Sequence, residues 1–235
     1  MRAAIQVDRL RKSYGSHVVL NGLNFCVRQG EIFALLGVNG AGKTTALECI
    51  EGVRKFDEGS IVINGQMGIQ LQSASLPVHI RPLEAVKMFA KWNRTVPDKA
   101  MLDALGICEF AKKQYFQLSA GQKRRLHLAL ALTRHPDILF LDEPTAGLDP
   151  KGRDEILDQV ALLHKEKHIT VVLVSHSMED VARYVERIIV MNKGQVMFDD
   201  TPQQVFQHYR ELESVGLAAP QVTYLMHDLQ EKGWN

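Results

Sequence analysis

The spacing of apolar and polar positions changes period several times along the chain. Residues 3–10 and 17–27 alternate as short extended segments, separated by the turn-like Tyr14-Gly15-Ser16. EIFALLG (31–37) is a continuous apolar run that stops at Gly, as a strand buried on both faces would. A glycine-rich stretch follows from Gly37 to Gly42, and Lys43 opens a helix to about Glu51. IVING (61–65) and MGIQLQ (67–72) are two further strands with almost nothing between them. From Ser73 to about Pro136 the period turns helical, which predicts a separate helical lobe. ILFL (138–141) and ITVVLV (169–174) are again buried strands. Between them Asp149 is placed as the cap, and Pro150 as the first residue, of a helix to about Lys167. Ser177 caps a helix over 178–186, and RIIVM (187–191) and QVMF (195–198) form a hairpin about Asn192-Lys193-Gly194. Thr201-Pro202-Gln203-Gln204 has capping-box form and starts a helical tail. Strands alternating with helices predict an α/β fold: a mainly parallel sheet, a β layer at the N-terminus and a helical insertion. No internal repeat interrupts this order.

Composition narrows the picture only a little. A chain of 235 residues suffices for one large α/β domain or two small ones. Its 28 Lys and Arg against 27 Asp and Glu leave a formal charge of +1, so no global field draws it to nucleic acid or acidic lipid. Lys112-Lys113 and Lys123-Arg124-Arg125 are expected to be solvated helix faces, as are His164 and His168, whose spacing lacks a zinc-site pattern. Cys26, Cys49 and Cys108 show no CxxC spacing, which predicts free thiols in a reducing compartment. The N-terminal residues have no apolar core of a signal peptide, and no apolar stretch approaches the roughly 18 residues that span a bilayer. Any membrane role is therefore expected to come through a partner.

The chemistry is concentrated at strand ends. GVNGAGKTT (37–45) matches G-x-x-x-x-G-K-[ST] and sits between a strand and a helix, the setting this motif requires. Successive N–H groups of Gly37, Asn39, Gly40, Ala41 and Gly42, with the helix start at Lys43, Thr44 and Thr45, would cradle a polyphosphate. Lys43 would reach the β- and γ-phosphates and Thr44 would offer its hydroxyl to Mg²⁺. Asp142 and Glu143 stand in ILFLDEP (138–144), at the carboxyl end of the buried strand; Asp142 suits Mg²⁺, and Glu143 suits polarisation of an attacking water. The plainer alternative is a capping turn before Pro144. His176 ends ITVVLVS and could bond a γ-phosphate oxygen or the water, although a lone His is more often structural. Gln70 and Gln72 share one face of their strand, so periodicity does not choose between them as a metal or water ligand. Tyr14 could stack on adenine or simply fill its turn.

GVNGAGKTT, Gln72, LSAGQ (118–122), ILFLDEPTAGLD (138–149) and SHSMED (175–180) stand in the order and spacing of the nucleotide-binding domains of ATP-binding-cassette (ABC) transporters, which the chain resembles to about Tyr209. The resemblance implies a P-loop NTPase (RecA-like) parallel sheet core with an N-terminal antiparallel β subdomain and an α-helical signature subdomain at about 73–136. It implies a cassette over 1–209 and a C-terminal helical extension over 210–235. It favours Gln72 over Gln70. It also implies that Ser119, Ala120, Gly121 and Gln122 are presented to the γ-phosphate of ATP held by a second subunit, and that Asp149 touches that subunit's phosphate loop. Expected cofactors are ATP and Mg²⁺. Expected partners are a second copy or a related chain, in an ATP-dependent homo- or heterodimer, and a membrane-embedded transporter subunit docking near Gln72 and residues 73–90. Nucleic acid is not among the expected partners, and the expected location is the cytoplasmic face of the cell membrane. Ala120 replaces the usual second Gly, which is acceptable only at negative φ.

GIQLQSASLP and LSAGQKRRLHLALAL are similar to ATPases of drug and antibiotic exporters. TVVLVSHSMEDVARYVERIIVMNKGQV and GLAAPQVTYLMHDLQEKG are similar to ATPases of energy-coupling-factor vitamin or metal-ion importers. The link between Gly65 and Met67 is shorter than this family usually has, and the tail stops soon after Trp234 where the importer ATPases continue. Drug export is the leading expectation and an energy-coupling-factor importer the alternative. The mismatch between halves raises a recombinant chimera beside a natural exporter ATPase with a divergent tail. A soluble cassette acting on nucleic acid or ribosomes is less favoured for want of a second cassette or coiled coil, and a nucleotide kinase leaves LSAGQ unexplained.

Overall fold

The computed structural model describes residues 2–70 and 75–231. Two compact units share the chain: residues 1–64 with 175–235, and residues 65–174.

In chain order the first unit begins with β1 (Ala3–Tyr14) and β2 (His17–Arg28), an antiparallel pair that turns between Tyr14 and His17. β3 (Ile32–Leu36) is buried at all five positions, which is what its unbroken apolar run requires. α1 (Lys43–Ile50) and β4 (Glu58–Ile63) follow, β4 lying on the other edge of β1. The second unit holds β5 (Met67–Gln70), α2 (Pro82–Trp92), α3 (Lys99–Ala104), α4 (Ala120–Leu132), β6 (Ile138–Asp142), α5 (Pro150–Lys167) and β7 (Thr170–Val174). β5, β6 and β7 are parallel, with Gln70 opposite Leu141 and Asp142 opposite Val174. The chain returns to the first unit through α6 (Met178–Tyr184), β8 (Arg187–Asn192), β9 (Gln195–Asp200), α7 (Pro202–Gln207), α8 (Tyr209–Ser214) and α9 (Gln221–Glu231). β8 runs parallel to β3 and antiparallel to β9, as the hairpin pattern predicts.

Two local devices hold these layers. Arg187 donates to Glu31 Oε1 at 3.0 Å, to the Cys26 carbonyl at 2.8 Å and to both oxygens of Asp199 at 2.5 and 2.7 Å. One guanidinium thus ties β2, β8, β9 and the start of β3, with the planar fork that arginine alone provides. In the second unit α4 lies directly on β5. A Cβ on Gly68 would sit 2.4 Å from the Ala131 carbonyl oxygen, so only glycine permits this approach.

The structure corrects three expectations. The strand placed at 61–65 begins earlier, at Glu58, because its ladder with β1 starts at Arg11↔Glu58. His164 is not on an exposed face: its Nδ1 bonds the Ile169 carbonyl at 2.9 Å, while His168 ends α5 at φ 52°. Lys123, Arg124 and Arg125 are half-buried rather than solvated. Lys123 lies 5.1 Å from the Tyr115 ring centroid, Arg124 donates to the Ala146 carbonyl at 3.4 Å, and Arg125 reaches Glu109 at 3.7 Å. Long cationic side chains cover apolar surface with their stems, which a charge count does not reveal.

Candidate functional site

The first unit holds the phosphate loop. Gly42 caps α1 in the left-handed region at φ 100°, and no side chain closes the helix start. By contrast, α4, α5, α6 and α7 are each capped by a side chain, from Ser119, Asp149, Ser177 and Thr201. The first N–H groups of α1 therefore point to a site where an anion is the natural acceptor. A Cβ on Gly42 would meet Leu20 Cδ2 and the Val19 carbonyl oxygen, both at 2.9 Å. A Cβ on Gly37 would meet the Met191 carbonyl oxygen at 2.5 Å. Gly37 and Gly42 are thus demanded by β8 and β2, apart from any ligand. Lys43 is buried, and its Nζ donates to the carbonyls of Gly37 at 2.5 Å and Val38 at 3.1 Å. Asn39, Gly40 and Thr44 are exposed, Ala41 is buried, and Thr45 is half-buried.

Tyr14 ends β1 and is 43% exposed, enough to offer a stacking surface. The Arg54 guanidinium lies 5.3 Å and the Lys12 ammonium 5.7 Å from its ring centroid. Both cations are anchored, Arg54 to Glu48 at 2.5 Å and Lys12 to Asp57 at 2.7 Å. The Lys12 ammonium and the Ser13 N–H hold the Asp57 carboxyl below the usual range. His176 is exposed, just after buried Ser175, whose hydroxyl accepts from the Ser177 N–H at 3.1 Å.

The second unit holds the carboxylates and the signature. Asp142 ends β6 half-buried. Glu143 is buried and adopts φ 47°, a conformation costing a non-glycine residue about 1–3 kcal/mol. Its N–H donates to the Val174 carbonyl at 3.0 Å and its carbonyl accepts from Ala146 at 3.1 Å. The backbone thus turns out of the extended run directly after Asp142, a feature sequence reasoning missed because no glycine marks it.

Ser119 caps α4: its hydroxyl accepts from the Gln122 N–H at 3.2 Å, and Gln122 Oε1 accepts from the Ser119 N–H at 3.2 Å. Ala120 is the first helical residue, exposed, and absent from the non-glycine residues at positive φ. Its methyl group is therefore compatible with the backbone. Asp149 caps α5 by accepting from the Gly152 N–H at 3.0 Å. Ser119, Ala120, Gly121, Gly147, Asp149 and Lys151 line one cleft of about 370 Å³, so the structure joins the LSAGQ and TAGLD segments across 27 residues of sequence separation, counted from Gln122 to Asp149. Gln72 lies outside the described residues. Gln70 is buried, with neither amide atom hydrogen-bonded among the described residues.

Among the described residues no group of three or more His, Cys, Asp or Glu could hold a metal ion. Nor is any described helix long and apolar enough to cross a membrane.

The family pattern described as "ABC transporter" matches residues 20–146, from β2 through the carboxylate turn. The chain belongs to the ABC transporter family. An energy-coupling factor transporter ATP-binding protein, EcfA2 of Clostridium tetani, is 40% identical to it over 92% of this chain and 83% of the relative. The structure of cbiO1 from Clostridium perfringens, part of the ABC transporter complex cbiONQ, superposes with a TM-score of 0.78 at 29% identity, covering 97% of this chain and all of that one. A bacterial ABC transporter cassette solved as a dimer superposes at 0.73 with 28% identity, over 84% of this chain and 98% of its own. The fold is that of the P-loop NTPase cassettes, and the chain is an ATPase.

These findings correct two expectations. Drug export gives way, because the curated relatives at 36–40% identity are energy-coupling factor transporter ATP-binding proteins. The chimera is not supported either: one relative at 40% identity spans front and back together, over 92% of the chain.

Proposed function

We propose that this ABC ATPase is the ATP-binding and ATP-hydrolysing subunit of an energy-coupling-factor type importer, with the cargo chosen by its membrane partners. The observation that carries this reading is the 40% identity to EcfA2 across 92% of the chain. ATP is bound with its phosphates at the uncapped start of α1 and its adenine against Tyr14. Lys43 exchanges the loop carbonyls for the β- and γ-phosphates. Thr44, Asp142 and Gln72 are the oxygen donors suited to Mg²⁺, which would supply charge neutralisation at the phosphates. Glu143 orients and deprotonates the attacking water, and His176 bonds the transferred phosphate.

The cleft of Ser119, Gly121 and Asp149 receives the nucleotide edge of a second cassette. That the related cassette crystallised as a dimer supports this arrangement. Two ATP molecules then hold two subunits together, and hydrolysis releases them. On the second unit, an apolar cleft of about 410 Å³ beside Trp92 takes a cytoplasmic helix of the membrane partner, holding this chain at the membrane without spanning it. Trp92 is 79% exposed there, large for an aromatic with no role. We take residues 1–209 as the cassette and 210–235 as an added helical extension.

Glu143→Gln tests the reading. It is expected to keep ATP affinity, slow hydrolysis by a factor on the order of 10²–10⁴, and accumulate as a dimer with ATP and Mg²⁺ in size-exclusion light scattering. A variant that remains monomeric at saturating ATP contradicts the sandwich. Reconstitution with the membrane subunits, followed by vitamin and metal-ion uptake, tests the importer assignment.

A further inference from the structure

The apolar cleft of the second unit has a polar floor. Met67, Ile69, Leu76, Phe89, Trp92 and Leu130 supply apolar lining, and Gln70 and His127 line the same cleft. Gln70 is 2% exposed and His127 8%. Among the described residues, neither Nε2 nor Oε1 of Gln70 has a hydrogen-bond partner, and neither has Nδ1 of His127. His127 Nε2 is engaged, 3.0 Å from the Tyr115 hydroxyl.

The close approach of α4 to β5 explains how the two meet. Gly68 faces Ala131; Gln70 lies two residues on along the same strand face, and His127 one turn back along the helix. Leaving a buried amide unsatisfied forfeits its hydration with nothing in return, so an interior of this kind normally carries an apolar residue or a partner. Burial, with the nearby charges of Arg124 and Lys123, pushes the His127 pKa down to about 4, so the ring is neutral at physiological pH.

We propose that Gln70 and His127 form a hydrogen-bonding recognition point at the floor of this cleft, taking an uncharged amide or hydroxyl side chain from an otherwise apolar helix of the membrane partner. This rests on the transporter reading above. The chemistry of the incoming group follows from the atoms left over. Gln70 needs both an acceptor for Nε2 and a donor for Oε1. A carboxylate cannot donate, an ammonium or guanidinium cannot accept, and a further cation would meet the charges of Lys123, Arg124 and Arg134. Asn, Gln, Ser or Thr satisfies both atoms at once. The apolar walls supply area, and the polar floor fixes register and rejects an all-apolar helix.

The test uses the full chain co-produced with the integral membrane subunit of its transporter, and Gln70→Met, which keeps volume and removes both polar atoms. The variant alone is expected to bind ATP as wild type does and to melt no lower, because an unsatisfied amide has been removed. Its detergent-solubilised complex is expected to dissociate about tenfold more readily. Unchanged affinity of the complex overturns the proposal. So does a variant that melts several degrees lower by itself, since Gln70 would then have a partner within the chain. If wild type forms no complex with the membrane subunit, the transporter reading itself fails, and the recognition point with it.

Discussion

The phosphate loop and the LSAGQ turn are both glycine-containing starts of helices, yet they are built in opposite ways. At Gly37 and Gly42 a side chain would strike the backbone of Met191 or Val19, so the chain's own packing demands glycine. At Gly121 an added Cβ meets nothing within 4 Å, and Ala120 beside it is already exposed. The helix after the phosphate loop is left uncapped for a ligand, whereas α4 carries a complete reciprocal cap of its own. One loop is finished by the fold. The other is an open surface whose need for small residues comes from whatever approaches it, which is what an ATP bound by a second copy would do.

Gly42→Ala attacks the first side and carries the largest expected effect. Its left-handed φ and the 2.9 Å approach to Val19 predict a loss of about 3 kcal/mol or more, read by thermal melting, together with loss of ATP binding.

A pH series separates the two units next. His127, two turns into α4, has a folded pKa of about 4 against an ordinary 6.5. The unfolded chain therefore binds more protons between these values. The stability contributed is fully present above pH 6.5 and is lost as pH falls towards 4. Between pH 7 and pH 5 the loss is about 2 kcal/mol. His127→Phe should flatten that part of the melting profile, and an unchanged slope would break the assignment.

The mildest changes fall on the open turn. Gly121→Ala is expected to leave melting unchanged or raise it slightly, by about 0.5–1 kcal/mol, since Ala favours a helix. ATP-driven dimerisation and hydrolysis should nevertheless fall by roughly tenfold, the methyl group obstructing the second copy's nucleotide. Equal loss of fold and function would erase the contrast. Ala120→Gly, smallest of all, should cost about 0.5 kcal/mol or less and change ATPase turnover little.

Much of this was legible in the residues. The buried runs of β3, β6 and β7, the caps at Asp149, Ser177 and Thr201, and the phosphate-loop motif are local signals, because each depends on near neighbours in the chain; the cap at Ser119 was found only in the structure. The transporter subclass was misread from local likeness in LSAGQKRRLHLALAL, and identity across the whole chain corrected it. Charge counting misplaced Lys123, Arg124 and Arg125, whose stems pack rather than float.

By itself, then, the sequence determined the strand and helix order, the helix starts, and the identity of the phosphate loop, since periodicity and capping are short-range. Only the tertiary structure decided that Ala120 is backbone-neutral, that Glu143 stands at φ 47°, and that signature and Asp149 share one cleft. It alone put Gln70 and His127 on one floor. Such facts depend on which backbone approaches which, and residues far apart in the chain carry no mark of their future neighbours.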